Sequence, residues 1–344
     1  MFILALSEET HKKFKITFTH KNILLIQTAF IGDVILASSV LEKLHVFFPQ
    51  AKLSILVRKG NESLYQEHPF LTQTLVWNKQ EGKYKSLFRL LKTIRNQKFD
   101  TVINLHRFAS SGFLTAFSKA QYTSGYDKNP FSFLFDNKSK HKIGDGRHEV
   151  DRYNDLIESI TDKTVAKPKL YPTFKHFTKI ESLVTQPFVC MAPSSVWFTK
   201  QLPKDKWIEL CNSIPKEITI YLLGGSGDAV LCGDIQQKSK REKIQILAGK
   251  LSLLESCELM KHAKMNYVND SGPLHLASSV NAPTTAFFCS TVPAYGFYPL
   301  SFNSTVIEVS DLYCKPCGLH GFKQCPKNNF RCGNEIKLPL GNLY

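Results

Sequence analysis

The chain alternates short, continuously apolar runs with amphipathic stretches of helical periodicity, and it does so in two successive series. The first apolar run, Asn22 to Gln27, precedes a turn at Gly32 and a helical pattern that ends at Pro49. Such a run is typical of a strand buried on both faces of a parallel sheet. The repetition in both halves predicts an α/β fold with two doubly wound parallel sheets, and ligands beyond their carboxyl ends.

The same patterns locate the individual elements. In the first half they predict strands at Asn22–Gln27, Lys52–Val57, Leu75–Trp77 and Asp100–Leu105, helices at Tyr84–Gln97 and Glu149–Ile160, and a loop at Asp136–His148. In the second half they predict strands at Phe188–Ala192, Ile218–Leu223, Ile244–Leu247, Met265–Val268 and Thr284–Cys289, and a helix at Ser252–Ala263. The predicted domains are an extension at 1–20, a first domain at 21–165, a proline-flanked linker at 166–186 and a second domain at 187–344.

The charge balance restricts the class of partner. Lys and Arg total 44 against 29 Asp and Glu, a net charge of +15, which favours an anionic partner such as nucleic acid, an acidic membrane face or a phosphorylated small molecule. The basic residues are spread along the chain, which disfavours nucleic acid. The basic face of the predicted helix Tyr84–Gln97 is either solvated or an anion-binding groove.

Nothing in the sequence predicts a membrane span. No apolar run approaches the roughly 18 residues that cross a bilayer. The run Met1 to Leu6 is too short, and wrongly flanked, for a signal peptide. We therefore expect a cytoplasmic protein, with peripheral contact at the inner membrane surface as a further expectation.

The nine cysteines divide into two groups. Five are scattered among apolar residues and are expected to be buried, and the odd total argues against a disulfide framework. The other four, Cys314, Cys317, Cys325 and Cys332, are spaced closely enough to form a tetrahedral zinc site, with His320 as a spare ligand. The alternative is a cysteine-rich tail whose thiols only pack or oxidise.

The first motif that carries chemistry is TAFIGDVILASS, residues 28–39, directly after the first predicted strand. Asp33 is expected at the start of the following helix. There it either caps the helix by accepting backbone N–H bonds or acts as a general base in the cleft. The motif lacks the three glycines of a dinucleotide fingerprint.

Two more motifs follow strands of the second half. In APSSVWFTKQLPKDKW, residues 192–207, Ser195, Thr199 and Lys200 offer hydroxyl donors and a cation suited to a diphosphate, unless the loop is simply polar and solvated. In LLGGSGDAVL, residues 222–231, Gly224 and Gly225 either admit a ligand to the backbone or only form a tight turn.

The fourth motif is NDSGPLHLASSV, residues 269–280. Ser271 and Gly272 would present backbone N–H groups at the positive end of a helix, which is an anion site. Asp270 could bind a sugar hydroxyl, and His275, one turn on, could face the cleft or simply pack.

Together, the order of IGDV, S-x-W-x-T-K, LLGG, NDSGPLHLA and the cysteine-rich tail resembles glycosyltransferase family 9, the ADP-heptose:lipopolysaccharide heptosyltransferases, over roughly residues 22–335. The resemblance implies a GT-B architecture, in which two Rossmann-like domains face each other across a cleft. It also implies metal-independent, inverting transfer from an ADP-sugar bound by the second domain to an acceptor received by the first.

The resemblance assigns roles residue by residue. Asp33 matches the family's general base, and no catalytic metal or other cofactor is required. Donor binding is assigned to Ser195, Thr199, Lys200, Gly224, Gly225, Asp270, Ser271, Gly272 and His275. His106 and Arg107 could contact an acidic acceptor, although His106 could equally be structural. Phe30 and Asn104 depart from residues common in the family and leave the exact acceptor open.

The expected partners are therefore an ADP-sugar donor and the lipopolysaccharide core at the membrane surface, without nucleic acid. One alternative is a family member that uses another nucleotide sugar in cell-envelope glycan synthesis. A sugar-nucleotide epimerase of the same architecture would not explain IGDV together with NDSGPLHLA. A different class altogether is a non-catalytic basic binding protein.

Overall fold

Each half of the chain forms a six-stranded sheet in which all neighbouring strands are parallel. The computed structural model describes residues 20–339, so the predicted extension lies outside the described residues except for His20. The first sheet contains β1 (Asn22–Ile26), β2 (Lys52–Arg58), β3 (Leu71–Trp77), β4 (Thr101–Asn104), β5 (Tyr122–Tyr126) and β6 (Asn137–Ser139). The second contains β7 (Phe188–Ala192), β8 (Thr219–Leu222), β9 (Ile244–Ile246), β10 (Asn266–Asn269), β11 (Thr284–Phe288) and β12 (Ser304–Glu308).

The helices connect these strands. They are α1 (Ile31–Leu36), α2 (Ser38–Phe47), α3 (Lys83–Gln97), α4 (Ala109–Ala116), α5 (Glu149–Asp155), α6 (Phe174–Ile180), α7 (Lys204–Ser213), α8 (Ala229–Lys238), α9 (Leu253–His262), α10 (Gly272–Ser279) and α11 (Arg331–Asn334). Across the described part of the chain, none of them has the length and apolar character needed to cross a membrane.

The two sheets share one strand order. The first runs β3-β2-β1-β4-β5-β6, and the second runs β9-β8-β7-β10-β11-β12. In each sheet the direction of winding reverses between the first and fourth strands, and ligands of such folds bind at the carboxyl end of that reversal. The predicted fold class is confirmed, and the reversal points lie at β1/β4 and β7/β10.

The central strands are buried on both faces, as their continuous apolar sequences predict. In β1, Leu24, Leu25 and Ile26 have no solvent exposure, and every residue of β7 and β11 is buried. On α3, an apolar stripe packs against the first sheet while the basic residues face outward. This packing fixes the strand ends from which the functional loops project.

Four local predictions need correction. The helix after β1 is interrupted at Ala37, where the Ser38 and Ser39 hydroxyls donate to the Ile35 and Leu36 carbonyls. The predicted loop at 136–148 contains β6, whose polar sequence suits its place at the sheet edge. The helix at 149–160 ends at Asp155 and continues only as one short 3-10 turn. The predicted linker contains α6, which packs on α9. The predicted domain limits themselves stay predictions.

Candidate active site

Helices α1 and α10 meet where the two domains face each other, and two glycines make their approach possible. A Cβ atom on Gly32 would lie 2.7 Å from Cδ2 of His275, and a Cβ atom on Gly272 would lie 2.9 Å from Cγ2 of Ile31. Because the two glycines have no side chains, α1 leaves room at Gly32 for His275, and α10 leaves room at Gly272 for Ile31. The contact brings the IGDV and NDSGPLHLA motifs together.

Two cavities open on either side of this contact. The small cavity, of about 160 Å³, is lined by Asp33, Ser195, Lys200, Asp270, Ser271, Gly272 and His275, together with apolar residues of both domains. The large cavity, of about 700 Å³, is lined mainly by the first half of the chain, including Arg58, Lys79, His106, Arg107 and Glu149. Phe30, Asp33 and His320 line both cavities. Asp33 therefore lies where the two cavities adjoin.

The Asp33 carboxyl group is held in an environment that resists ionisation. Burial, followed by the negative charge of Glu149, raises its pKa to about 7, although a hydrogen bond from its own backbone N–H and the charges of Lys200 and Arg107 oppose the shift. The N-cap residue of α1 is Phe30, and no side chain caps that helix. Within residues 20–339, no other side chain hydrogen-bonds or pairs with the Asp33 carboxyl group. It is thus free to exchange a proton with a bound molecule.

Lys200 and Asp270 form a largely buried ion pair across the small cavity. Lys200 Nζ lies 2.7 Å from Asp270 Oδ2, and the two side chains are only 15% and 6% exposed. The Thr291 hydroxyl donates to the same oxygen over 2.6 Å. An ammonium group has three N–H donors, so Lys200 can hold Asp270 and still face an anion in the cavity. Thr291 was not recognised in the sequence, where no motif marks it.

Two histidines of the site are neutral at ordinary pH. Burial lowers the pKa of His275 to about 3, and its buried Nδ1 has no hydrogen-bond partner among the described residues. Burial, followed by the charges of Lys79 and Arg107, lowers the pKa of His106 to about 4. The His106 ring lies 3.2 Å from the Thr28 hydroxyl. The positive charge of the large cavity therefore comes from its lysine and arginine side chains.

Glu149 is the second carboxylate of the large cavity and lies in a network that keeps it ionised. Burial opposes its ionisation, but hydrogen bonds from His141 and Arg152 lower its pKa. Arg152 Nη1 is 2.9 Å from Glu149 Oε2 and also donates to the Tyr295 carbonyl of the second domain. Because Arg152 is itself buried and paired with Asp145, the network is rigidly placed. Sequence reasoning identified Glu149 only as the start of a helix.

Three predicted donor-binding residues do not line either cavity. Thr199 is buried and accepts a hydrogen bond from the Phe322 N–H through its hydroxyl. Gly224 and Gly225 lie at the end of β8, where the Gly225 N–H donates to Asp228 Oδ2 over 2.7 Å. These contacts favour a supporting role for Thr199 and a tight turn for the two glycines. Their assignment to donor binding stays a prediction.

The cysteine-rich segment contributes to the site through a residue other than cysteine. Paired hydrogen bonds between Thr199 and Phe322 hold the segment on the Lys200 loop, and one from the Cys317 N–H to the Ser290 carbonyl holds it on the loop after β11. This places His320 at the junction of the cavities, although sequence reasoning considered it only as a spare metal ligand. Among residues 20–339, no three His, Cys, Asp or Glu side chains converge as a metal ion requires, so the structure gives the zinc prediction no support.

Two Rossmann-like sheets with their reversal points facing a common cleft define the GT-B architecture. The sequence model of glycosyltransferase family 9 (heptosyltransferase) matches residues 87–325, and the chain belongs to this family. Like other members, it is a glycosyltransferase of the heptosyltransferase group.

Individual relatives agree with this assignment. The chain is 26% identical over 309 residues to lipooligosaccharide heptosyltransferase 2 of Haemophilus influenzae, covering 84% of this chain and 88% of the relative. A family 9 glycosyltransferase from Veillonella parvula has a TM-score of 0.76 at 19% identity, covering 84% and 86% of the two chains. The ADP-heptose lipopolysaccharide heptosyltransferase II of Escherichia coli has a TM-score of 0.74 at 18% identity, covering 91% and 98%. The two structures support the fold.

Proposed function

We propose that the protein transfers a heptose from ADP-heptose to a hydroxyl group on the inner core of lipopolysaccharide, with inversion at the anomeric carbon. The names of its relatives favour this donor and acceptor class. The observation that carries the mechanism is that Asp33 lies on the wall of both cavities. A group in that position can contact an acceptor hydroxyl on one side and the reacting sugar carbon on the other.

Asp33 is proposed as the general base. Its pKa of about 7 lets the ionised carboxylate be present at neutral pH and still accept a proton effectively. As the acceptor oxygen bonds to heptose C1, Asp33 takes the hydroxyl proton and the bond from C1 to the diphosphate oxygen breaks. Attack from the large cavity and departure into the small cavity occur on opposite faces of the sugar, which inverts the anomeric carbon.

The departing ADP requires positive charge in the small cavity. Lys200 supplies an ammonium group, and the α10 N-terminus presents the backbone N–H groups of Ser271 and Gly272. Such preorganised donors stabilise the charge that develops on the diphosphate in the transition state. His275 Nδ1 and the second oxygen of Asp270 are proposed to bind donor hydroxyl groups. In this arrangement the cationic side chain and the helix serve in place of a divalent ion.

The large cavity suits an acidic acceptor. Arg58, Lys79 and Arg107 line it, and Arg107 forms no ion pair or side-chain hydrogen bond within residues 20–339. An arginine without an internal ion pair can neutralise a carboxylate or phosphate group on a core saccharide. We propose that the reaction takes place on the cytoplasmic side of the membrane, where nucleotide sugars are made.

The test is a transfer assay with the purified chain, truncated lipopolysaccharide and ADP-heptose, with UDP- and GDP-hexoses as competing donors. We expect ADP release and a heptose-bearing product with ADP-heptose alone, unchanged by EDTA, and an inverted anomeric configuration by nuclear magnetic resonance. Product formation only with another nucleotide sugar would transfer the proposal to that donor and refute the heptose assignment. Loss of activity in EDTA would overturn the metal-free mechanism, and elemental analysis of the same sample would identify any bound metal.

A further inference from the structure

The first domain carries a group of aromatic side chains that the core does not cover. Phe88 on α3 contacts Phe113 on α4, and Phe113 in turn contacts Phe117 and Phe131, with ring centroids 4.9–6.0 Å apart. Phe133 follows in the next short turn. Phe88 and Phe133 are 59% and 72% exposed, and Phe117 is 38% exposed. We call these five residues the aromatic face.

Cations lie beside the aromatic face on the same side of α3. Lys85 and Lys92 are three residues before and four residues after Phe88, and such positions are neighbours on a helix surface. Both lysines are exposed, and neither has an ion-pair partner among residues 20–339. The face therefore combines exposed rings with unneutralised positive charge.

The aromatic face and the large cavity are linked by helix α4. Phe108, Ala109 and Ser110 line that cavity at the start of α4, and Phe117 follows the last turn of the same helix. At 1.5 Å of rise per residue, the eight steps from Ala109 to Phe117 span about 12 Å. If the aromatic face rests on a membrane, the polar groups of a membrane-anchored molecule beneath it lie about one length of α4 from the cavity.

We propose that the aromatic face docks on the surface of an anionic lipid bilayer and orients the large cavity toward a membrane-borne acceptor. Aromatic rings partition into the boundary between headgroups and acyl chains, and each adjacent lysine is attracted by the negative surface potential. The lipid-binding step follows from exposure and charge alone. Its use in delivering the acceptor rests on the proposed function.

The experiment measures binding of the full chain to vesicles by sedimentation, with phosphatidylcholine alone or mixed with phosphatidylglycerol. We expect binding to the anionic vesicles that weakens as salt is raised. The variant F88S/F133S should lose about tenfold or more in partitioning, because two rings no longer insert. The variant K85Q/K92Q should lose about fivefold per lysine on anionic vesicles only.

The matched control is F174S/F302S, which removes two rings outside the aromatic face that are more exposed than Phe88 and Phe133, at 81% and 84%. It should bind like the unaltered chain. A tryptophan reporter sharpens the comparison: F133W should shift its emission to the blue on anionic vesicles, and F302W should not.

Several results would overturn the proposal. One is equal binding to both vesicle types, and another is an equal loss of binding in F174S/F302S. A third is light scattering that shows a dimer which F88S/F133S converts to a monomer, because the aromatic face would then bind a second copy of the chain. Vesicle binding needs no transfer, so it remains informative if the donor assignment fails. With an active enzyme, F88S/F133S should retain its rate on a delipidated acceptor and lose rate only on acceptor held in vesicles.

Discussion

The two reversal points of this molecule have the same strand topology but opposite electrostatic character. At β1/β4, the Asp33 carboxyl group has no side-chain partner among the described residues, and the negative charge of Glu149 repels it. At β7/β10, Asp270 is paired with Lys200 and bonded to Thr291. One carboxyl group is therefore suited to taking up a proton, and the other to holding a cation in place. The fold determines where these groups lie, and their neighbours determine what they do.

The largest effect should come from removing the unpaired carboxyl group. D33N keeps the shape of the side chain but cannot accept a proton, so we expect kcat to fall by about 10²- to 10⁴-fold. Donor affinity, measured by calorimetry, should change little. Thermal stability at pH 8 should be equal or higher, because a carboxylate that resists ionisation has been replaced by a neutral amide. Turnover within tenfold of the unaltered enzyme would remove Asp33 from the mechanism and cancel the contrast between the two aspartates.

The next largest effect tests the buried ion pair between Lys200 and Asp270. K200M removes the cation that faces the diphosphate and should lower kcat/KM for the donor by about 10²-fold or more. It also leaves the nearly buried Asp270 carboxylate without its partner, at a cost of about 3–5 kcal/mol in the free energy of unfolding. Adding D270N to K200M should restore most of the stability and little of the activity.

A surface pair provides the control for this experiment. Lys204 and Asp234 are 2.9 Å apart but 34% and 45% exposed, so K204M should cost no more than about 1 kcal/mol and leave kinetics unchanged. If K200M were as mild as K204M, the buried pair would have no special role in either folding or donor binding.

The shared topology was predictable from the sequence, because buried parallel strands leave continuous apolar runs. β1, β2, β7 and β11 were placed within about one residue of their observed limits. The elements that were not predicted include β5, β6, β12, α4 and α6, and none of them is a continuous apolar run. β6 is polar and pairs only with β5, and α6 has a single buried residue, so neither shows the periodicity of a core element. Edges and connections are determined by tertiary contacts that no local pattern records.

The site was predictable to the extent that short motifs follow strand ends. Asp33, Lys200 and Asp270 come together because their loops follow β1, β7 and β10. The partners that set their chemistry are distant in sequence: Glu149 acts on Asp33 from α5, and Thr291 bonds Asp270 from the loop after β11. A motif thus identifies a functional group, while its pKa and orientation depend on long-range packing.

A smaller effect should follow from disturbing the contact between α1 and α10. G32A places a Cβ atom 2.7 Å from the His275 ring, which is buried and cannot simply swing away. We expect a loss of about 1–3 kcal/mol in the free energy of unfolding and a measurable drop in kcat. G272A meets only one atom, the Ile31 Cγ2 methyl group at 2.9 Å, and should be milder.

A double variant checks that the clash is the cause. Removing the ring in G32A/H275S should recover part of the stability lost in G32A, as measured by denaturant unfolding. If G32A were as stable as the unaltered chain, α1 and α10 would be farther apart in solution than the structure shows. The contact between the two helices would then contribute little to stability.

The smallest and most specific effect concerns the pH at which Asp33 is deprotonated and can act as a base. A base must be deprotonated, so activity should fall as pH drops through the Asp33 pKa of about 7. E149Q removes the negative charge that helps to raise this pKa, so the midpoint of the rate profile should move toward acid by roughly one pH unit or less. D155N neutralises a carboxylate on the same helix that is paired with Arg147 and should leave the midpoint unchanged. Loss of activity in E149Q at every pH would instead make Glu149 the base, and an unmoved midpoint would mean that burial alone distinguishes Asp33 from Asp270.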